Sequence, residues 1–312
     1  MKKVKLIYLL FFTLILAFSC SQGGGSGSSE GGNEKLKVVS TTTMLTDLLK
    51  QLAGDKIELK GLMGPGVDPH LYKASEGDVS KLFNADVIIY NGLHLEGKMV
   101  DLFEKMQKQG KKTIAIAQAI PKSELIDVDG SSSHFDPHIW FSVSNWKSVS
   151  VFVVDKLMEI DPGNANHYKS NLEKYLNELE ALEVYNADKI EQVPQNKRVL
   201  ITAHDAFEYF GREYGFEVKG LQGISTVSEA GAADVKNLAN FIAERKIPAL
   251  FIESSVSHRN IEALQAAVKS RGYNVIIGGE LFSDALGSAG TAEGTYIGMY
   301  KHNIKTITDA LK

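Results

Sequence analysis

The sequence predicts an α/β protein of two lobes, each with a four-stranded, mostly parallel sheet flanked by helices, joined by one long rigid helix. Three observations carry this. Short β-branched runs alternate with amphipathic stretches along the body, the pattern of parallel α/β folds. Four such runs fall in each half of that body. Between the halves, Tyr168, Leu172, Tyr175, Leu176, Leu179, Leu182 and Tyr185 recur at steps of three and four, and no Gly or Pro interrupts from Asn164 to Val193.

The chain of 312 residues opens with a basic start, Lys2, Lys3 and Lys5, followed by an apolar run from Leu6 to Phe18 broken only by Thr13. This suits the core of an export signal over residues 1–19 and is short for a membrane span. The run ends at Cys20, the only cysteine, so no intramolecular disulfide is available. A cysteine directly after an export segment resembles the lipid-attachment site of bacterial lipoproteins. Residues Ser21 to Asn33 hold six glycines and four serines. Such a stretch has nothing to bury and forms a flexible tether with a reach of about 20 Å. Residues 20–34 are therefore read as lipidated cysteine plus tether. The expected product is an exported, periplasmic or cell-surface protein held to a membrane by its N-terminal lipid.

The remaining body suits two lobes better than one core: an N-terminal lobe over 35–161, a linking helix over 162–193 and a C-terminal lobe over 194–312. In the first lobe, strands are expected near Lys37–Thr41, Ile57–Met63, Val87–Tyr90 and Thr113–Ala117, with helices near Met44–Ala53, Glu76–Asn84 and Glu96–Gln109. Asp161-Pro162 is expected to cap the linking helix and occupy its first position. In the second lobe, strands are expected near Val199–Ala203, Glu217–Leu221, Ala249–Glu253 and Asn274–Ile277. Its helices are expected near Ala206–Tyr214, Ala232–Arg245, Arg259–Arg271 and Thr295–Leu311. A long link without glycine resists opening, so lobe motion is expected to be small.

Formal net charge is −4, falling to about −7 without the three signal-segment lysines. No Lys- or Arg-rich patch stands out, which argues against nucleic acid as a partner. Mild acidity weakly favours cations.

The chemistry lies in a repeated tripeptide, Asp68-Pro69-His70 and Asp136-Pro137-His138. Proline fixes its own φ and pushes the preceding residue into extended backbone, so each imidazole is presented from a stiff corner. His70 follows the second strand of lobe one and His138 its fourth. His204 comes at once after the first strand of lobe two, and Asp284 follows the fourth. Ligands collect beyond the carboxyl ends of strands in open parallel sheets. If the lobes face each other, three imidazoles and one carboxylate converge. That donor set suits Zn²⁺, and Mn²⁺ or Fe²⁺ if the carboxylate is bidentate or water joins. Asp68, Asp136 and Asp205 are candidates to orient the imidazoles or are simply turn formers. Glu253, at the end of a buried strand, either pairs with a base or lines the cleft. His94 reads as a loop or first-turn residue and His134 as a transient metal contact on a Ser-rich loop. His167, His258 and His302 read as surface helix residues.

Taken together, the residues resemble the zinc- or manganese-binding solute-binding proteins of bacterial ABC transporters, the TroA-like or cluster A-I group. The matching stretches are Gly64–Tyr72, Tyr90–Glu96, Asp136–Trp140, Thr202–Phe210, Ser225–Ala230 and Gly279–Gly287. The resemblance implies two α/β lobes joined by a rigid helix, a buried metal held by His70, His138, His204 and Asp284, and a permease partner in the cytoplasmic membrane. It implies no enzymatic activity, and a monomer is the default for such a receptor. Manganese-favouring members commonly carry Glu at the position of His204, which tilts this chain toward zinc. Dedicated zinc members often carry a long His-rich loop where Val128–Phe135 is short, which keeps a mixed binder open. Two other readings are an adhesin or surface interaction protein, which the tethered architecture permits, and a metallohydrolase, which would need Asp284 to leave an open metal position.

Overall fold

The computed structural model describes residues 34–312. The export segment 1–19, Cys20 and all but the last residue of the tether lie outside the described residues. Residues Lys35–Lys312 group as one compact unit, and no helix among the described residues is long and apolar enough to cross a membrane.

The first half runs β1 (Leu36–Ser40), α1 (Thr43–Ala53), β2 (Ile57–Gly61), α2 (Glu76–Asn84), β3 (Val87–Tyr90), α3 (Val100–Lys108) and β4 (Lys112–Ala115). The strands form one parallel sheet in the order β2-β1-β3-β4. Val38, Val39, Val87, Ile88 and Ile89 are all buried, as expected when helices cover both faces of a parallel sheet. Local signals set the helix starts. Thr42 accepts the N–H of Leu45, and Ser75 and Asp78 form a reciprocal capping box. Helix α3 begins four residues later than expected. The Glu96 carboxylate turns back to accept the backbone N–H groups of Asn91 and Gly92 and the Thr41 hydroxyl, so it is spent on the loop rather than on a helical turn.

Helix α4 (Val143–Ile160) follows, then α5 (Ala165–Glu191), preceded by a 3₁₀ turn at Pro162–Asn164. The sequence reading assigns nothing to α4. Its five valines lower helix propensity, but Val143, Trp146, Val149, Val153, Val154 and Leu157 fall on one buried face, and packing decides the outcome. Helix α5 is the expected long link, 27 residues or about 40 Å. Asp161 does not cap it; its carboxylate accepts the Tyr168 hydroxyl and the Asn164 amide.

The second half runs β5 (Val199–His204), α6 (Glu208–Tyr214), β6 (Glu217–Gln222), α7 (Ala232–Arg245), β7 (Ala249–Glu253), α8 (Arg259–Lys269), β8 (Ile276–Leu281) and α9 (Tyr296–Leu311). Its strands form two parallel pairs, β5-β6 and β7-β8, with β5 beside β7, in place of one continuous ladder. At the site end the His204 N–H goes to the Glu253 side chain, not to a neighbouring strand's backbone. Helix α9 packs back against α1 and α5. Its Tyr296 N–H reaches Asp47 Oδ2 at 2.8 Å, and its ring stacks on Trp146 at 4.9 Å. One apolar core therefore runs from Val38 to Leu311 through both halves, which ties them together at more than the linking helix.

Strand β8 lies further along than the expected Asn274–Ile277 and runs through Gly278 and Gly279. Both are demanded by close packing. Pairing skips Gly278, a bulge opposite Leu250/Phe251. A Cβ there would stand 2.7 Å from Ala310 Cβ and 2.8 Å from Phe251. Gly278→Ala is expected to cost about 1–3 kcal/mol by overpacking, while Gly64→Ala, with nothing within 4 Å, stays within about 0.5 kcal/mol. Thermal unfolding of the metal-free protein checks the pair.

Candidate metal centre

Four side chains from four separate segments meet at the junction of the halves. His70 sits on the loop after β2, His138 between β4 and α4, His204 at the last residue of β5 and Asp284 after β8. All four are buried, and one ligand atom from each lies within 4.8 Å of the others. His70 Nε2 is 3.3 Å from His138 Nε2 and 3.4 Å from Asp284 Oδ2. His138 Nε2 is 3.5 Å from Asp284 Oδ1, and His204 Nε2 is 3.3 Å from Asp284 Oδ2. Donors at about 2.0–2.1 Å from a tetrahedral metal stand about 3.3–3.4 Å apart, so these separations match a coordination shell. His204 Nε2 and both Asp284 oxygens are buried with no hydrogen-bond partner among the described residues. Left unpaired, such atoms are costly; a divalent cation would satisfy all three.

The proline corners act through their aspartates. Asp68 Oδ1 accepts the His70 N–H at 2.8 Å, and Asp136 Oδ1 accepts the His138 N–H at 2.9 Å. Asp136 Oδ1 also meets His138 Nδ1 at 2.7 Å, and Glu253 Oε2 meets His204 Nδ1 at 2.6 Å. A carboxylate only accepts, so Nδ1 carries the proton in both rings and Nε2 faces the centre. Asp205, the other candidate to orient an imidazole, hydrogen-bonds none among the described residues. Its carboxyl pairs with Glu208 instead. Burial, with Asp136 nearby, pushes Asp205 up to about 6, and burial, with Asp205 alongside, pushes Glu208 up to about 7.

Electrostatics at the centre follow from burial and opposite charge. Burial pushes the His70 imidazole down to about 3, against the pull of Asp284. Burial would raise Asp284, but the imidazoles, His204 foremost, hold its carboxylate below the usual range. Burial would lower His204, but Glu253 and Asp284 together hold it well above the usual imidazole range.

The other histidines lie outside the cluster. His134 Nδ1 pairs with Asp129 at 2.7 Å, His258 with Glu280 at 3.2 Å, and His302 Nε2 with the Glu280 carbonyl at 3.0 Å. His167 meets Asn171 on α5. His94 takes a left-handed φ of 63° in the loop after β3. His94 and His134 line a cavity of about 300 Å³ that reaches His70. Sequence reasoning gave no individual role to Asn91, Glu96, Trp140 or Thr226. The Asn91 amide donates to the Pro137 carbonyl at 2.9 Å and so holds the His138 corner. The Trp140 indole donates to the Ser283 carbonyl at 3.0 Å, beside Asp284. The one local signal was Asn91-Gly92 followed by Glu96, a turn pair ahead of an acid.

A four-segment His₃Asp cluster at the strand ends of a helix-linked α/β body defines a metal-binding protein. The chain belongs to the family of the periplasmic zinc-uptake complex component A, ZnuA, whose model matches residues 38–310. It is 48% identical over 303 residues to the zinc-binding protein TroA of Treponema pallidum, covering 97% of this chain and 96% of that protein. It is 45% identical over 308 residues to the manganese-binding lipoprotein MntA of Bacillus subtilis, covering 97% and 99%. The solved structure of the periplasmic zinc-binding protein TroA from Treponema pallidum superposes with a TM-score of 0.86 at 52% identity, covering 89% of this chain and 99% of that one. The family is one of transport proteins rather than enzymes.

Proposed function

We propose that this chain is the extracytoplasmic solute-binding component of an ABC importer, capturing a divalent transition metal between two lobes and delivering it to a membrane permease. In this reading His70, His138, His204 and Asp284 are the ligands, with Zn²⁺ favoured and Mn²⁺ or Fe²⁺ admitted by a second Asp284 oxygen. Residues 35–161 and 194–312 act as the lobes and 162–193 as the link. Cys20 carries the lipid once residues 1–19 are removed, and the receptor works as an exported, membrane-tethered monomer without enzymatic activity. The observation that carries the reading is the set of buried ligand atoms spaced as a coordination shell, with His204 Nε2 and both Asp284 oxygens unpaired among the described residues. The ZnuA-family match and the zinc- and manganese-binding names of its relatives support it. Competitive titration of the purified chain with Zn²⁺ and Mn²⁺ tests it: tight one-to-one binding of either ion is expected, and tight binding of neither would sink it.

The roles of the neighbouring acids separate by substitution. Asp136→Asn is expected to lower Zn²⁺ affinity by about 10–100-fold, because it removes the acceptor that orients the His138 ring. Asp205→Asn should stay within about twofold, because Asp205 pairs with Glu208 and hydrogen-bonds no imidazole among the described residues. Equal losses in the two variants, read in the same titration, would contradict the assignment. No observation favours adhesion as the sole role, and two Asp284 oxygens facing the imidazoles leave a hydrolytic water poorly provided for.

A further inference from the structure

The three imidazoles are not held alike. His138 and His204 each have a ring nitrogen on a buried carboxylate, Asp136 at 2.7 Å and Glu253 at 2.6 Å. Among the described residues, no carboxylate pairs with Nδ1 of His70. Asp68 holds His70 through the backbone instead, its Oδ1 accepting the His70 N–H at 2.8 Å. The other oxygen of Asp68 crosses to the second half, where Oδ2 accepts the hydroxyl of Thr226 at 2.6 Å. Thr226 is buried and lies in the loop after β6. The His70 loop touches the second half again at Gly66, where a Cβ would stand 3.4 Å from the Ser254 carbonyl oxygen.

We infer that Thr226 is a positioning residue for metal retention: its hydroxyl, through Asp68, fixes the His70 corner against the opposite half. The inference rests on the metal-receptor reading and deepens it. His138 and His204 are anchored by carboxylates beside their own rings, so a small shift between the halves leaves those two bonds intact. The same shift pulls Thr226 from Asp68, and Asp68 then no longer holds the backbone of His70 in register with the other ligands. His70 is thus the ligand whose placement depends on the contact between halves, and the loop bearing Thr226 is the point where movement of the second half reaches it. The link is short and direct, and losing its donor leaves Asp68 Oδ2 without that partner. Valine in place of threonine keeps the shape and removes only the donor.

The test is Zn²⁺ release from the full chain into an excess of chromophoric chelator, followed by stopped flow, with equilibrium affinity measured alongside. Thr226→Val is expected to speed release by about tenfold, the size expected when a buried acceptor loses its donor, with little change in capture rate. Thr226→Ser, which restores the donor, should release within about twofold of wild type. The decisive comparison is a double-mutant cycle: in a His70→Ala background the ligand is gone, so Thr226→Val should weaken equilibrium affinity no further. Unchanged release in Thr226→Val, or an undiminished effect in the His70→Ala background, would overturn the inference while leaving the receptor reading intact. Failure of wild type to hold Zn²⁺ at all would instead remove the receptor reading, and is seen before any variant is compared.

Discussion

Replacing Asp284 with alanine is expected to lower Zn²⁺ affinity by roughly 10²- to 10³-fold or more while leaving the metal-free fold in place. The size follows from what the carboxylate does. It is the one negative ligand among three imidazoles, and it is fully desolvated. Breaking a buried charge pair by removing one partner costs about 3–5 kcal/mol, and each 1.4 kcal/mol is about tenfold in affinity. The expected retention of fold has a separate basis. Neither Asp284 oxygen accepts a hydrogen bond from the described residues. The segment is held by its neighbours, through Trp140 Nε1 on the Ser283 carbonyl and the Leu286 N–H on Thr43 Oγ1, and the substitution touches neither bond. The two effects can be read together. At free metal about a thousandfold above Kd, binding stabilises wild type by about 4 kcal/mol, a rise in Tm of roughly 8–16 °C for a chain of this size. In Asp284→Ala the metal-free protein should stay folded with a lowered Tm, because His204 loses its buried counter-charge, and most of the metal-induced rise should vanish. Tight binding that survives the substitution would leave three histidines and an open position, the arrangement of catalytic zinc, and would reopen the hydrolytic reading.

Where the sequence was readable, the readable feature was local. The Asp-Pro-His corners, the period of α5 and the strand runs up to β7 depend on neighbours within a few residues, and each lies where its pattern implies, to within one or two residues. The extent of β8 is not legible locally, because what makes glycine necessary at Gly278 and Gly279 is the approach of Ala310 and Thr306 on α9, some thirty residues away. Helix α4 was missed because its valines report local preference, and a shared core with α5 and α9 overrides it. The acids next to the histidines show the same divide. Asp136 turns back through the proline corner and reaches both the backbone and the ring of His138. Asp205 follows a residue at the end of a strand, where successive side chains point to opposite faces, so it faces away from His204. The acid that does hold His204 is Glu253, 49 residues along the chain, and only the packing of β5 beside β7 brings it there. Thr226 is more remote still, 158 residues from Asp68, and nothing in its own neighbourhood marks it.

Metal affinity is expected to rise with pH by at least tenfold per unit between pH 5 and pH 7, and by less than a thousandfold per unit. Ligation needs neutral imidazoles and an ionised carboxylate, so protons compete with the metal. The sign and the slope come from the individual groups. Asp284 is held below the usual carboxylate range by the surrounding imidazoles and stays ionised throughout this window, so it releases no proton on binding. His70 is pushed down to about 3 by burial, is already neutral at pH 5, and likewise has no proton to lose. His204 is the opposite case: Glu253 and Asp284 hold its pKa well above 6.5, so in the metal-free protein it keeps its second proton through the whole window, and the metal must displace it. One obligatory proton gives a slope of at least one in log affinity against pH, and the exclusion of His70 keeps the slope below three. Affinity at pH 5 should therefore be at least about a hundredfold weaker than at pH 7. The proton itself can be counted by calorimetry in buffers of different ionisation enthalpy, which should report at least one proton released per Zn²⁺ at pH 6. A slope near zero over this range would mean that His204 is neutral before the metal arrives, and that Glu253 acts on the orientation of its ring without holding its charge.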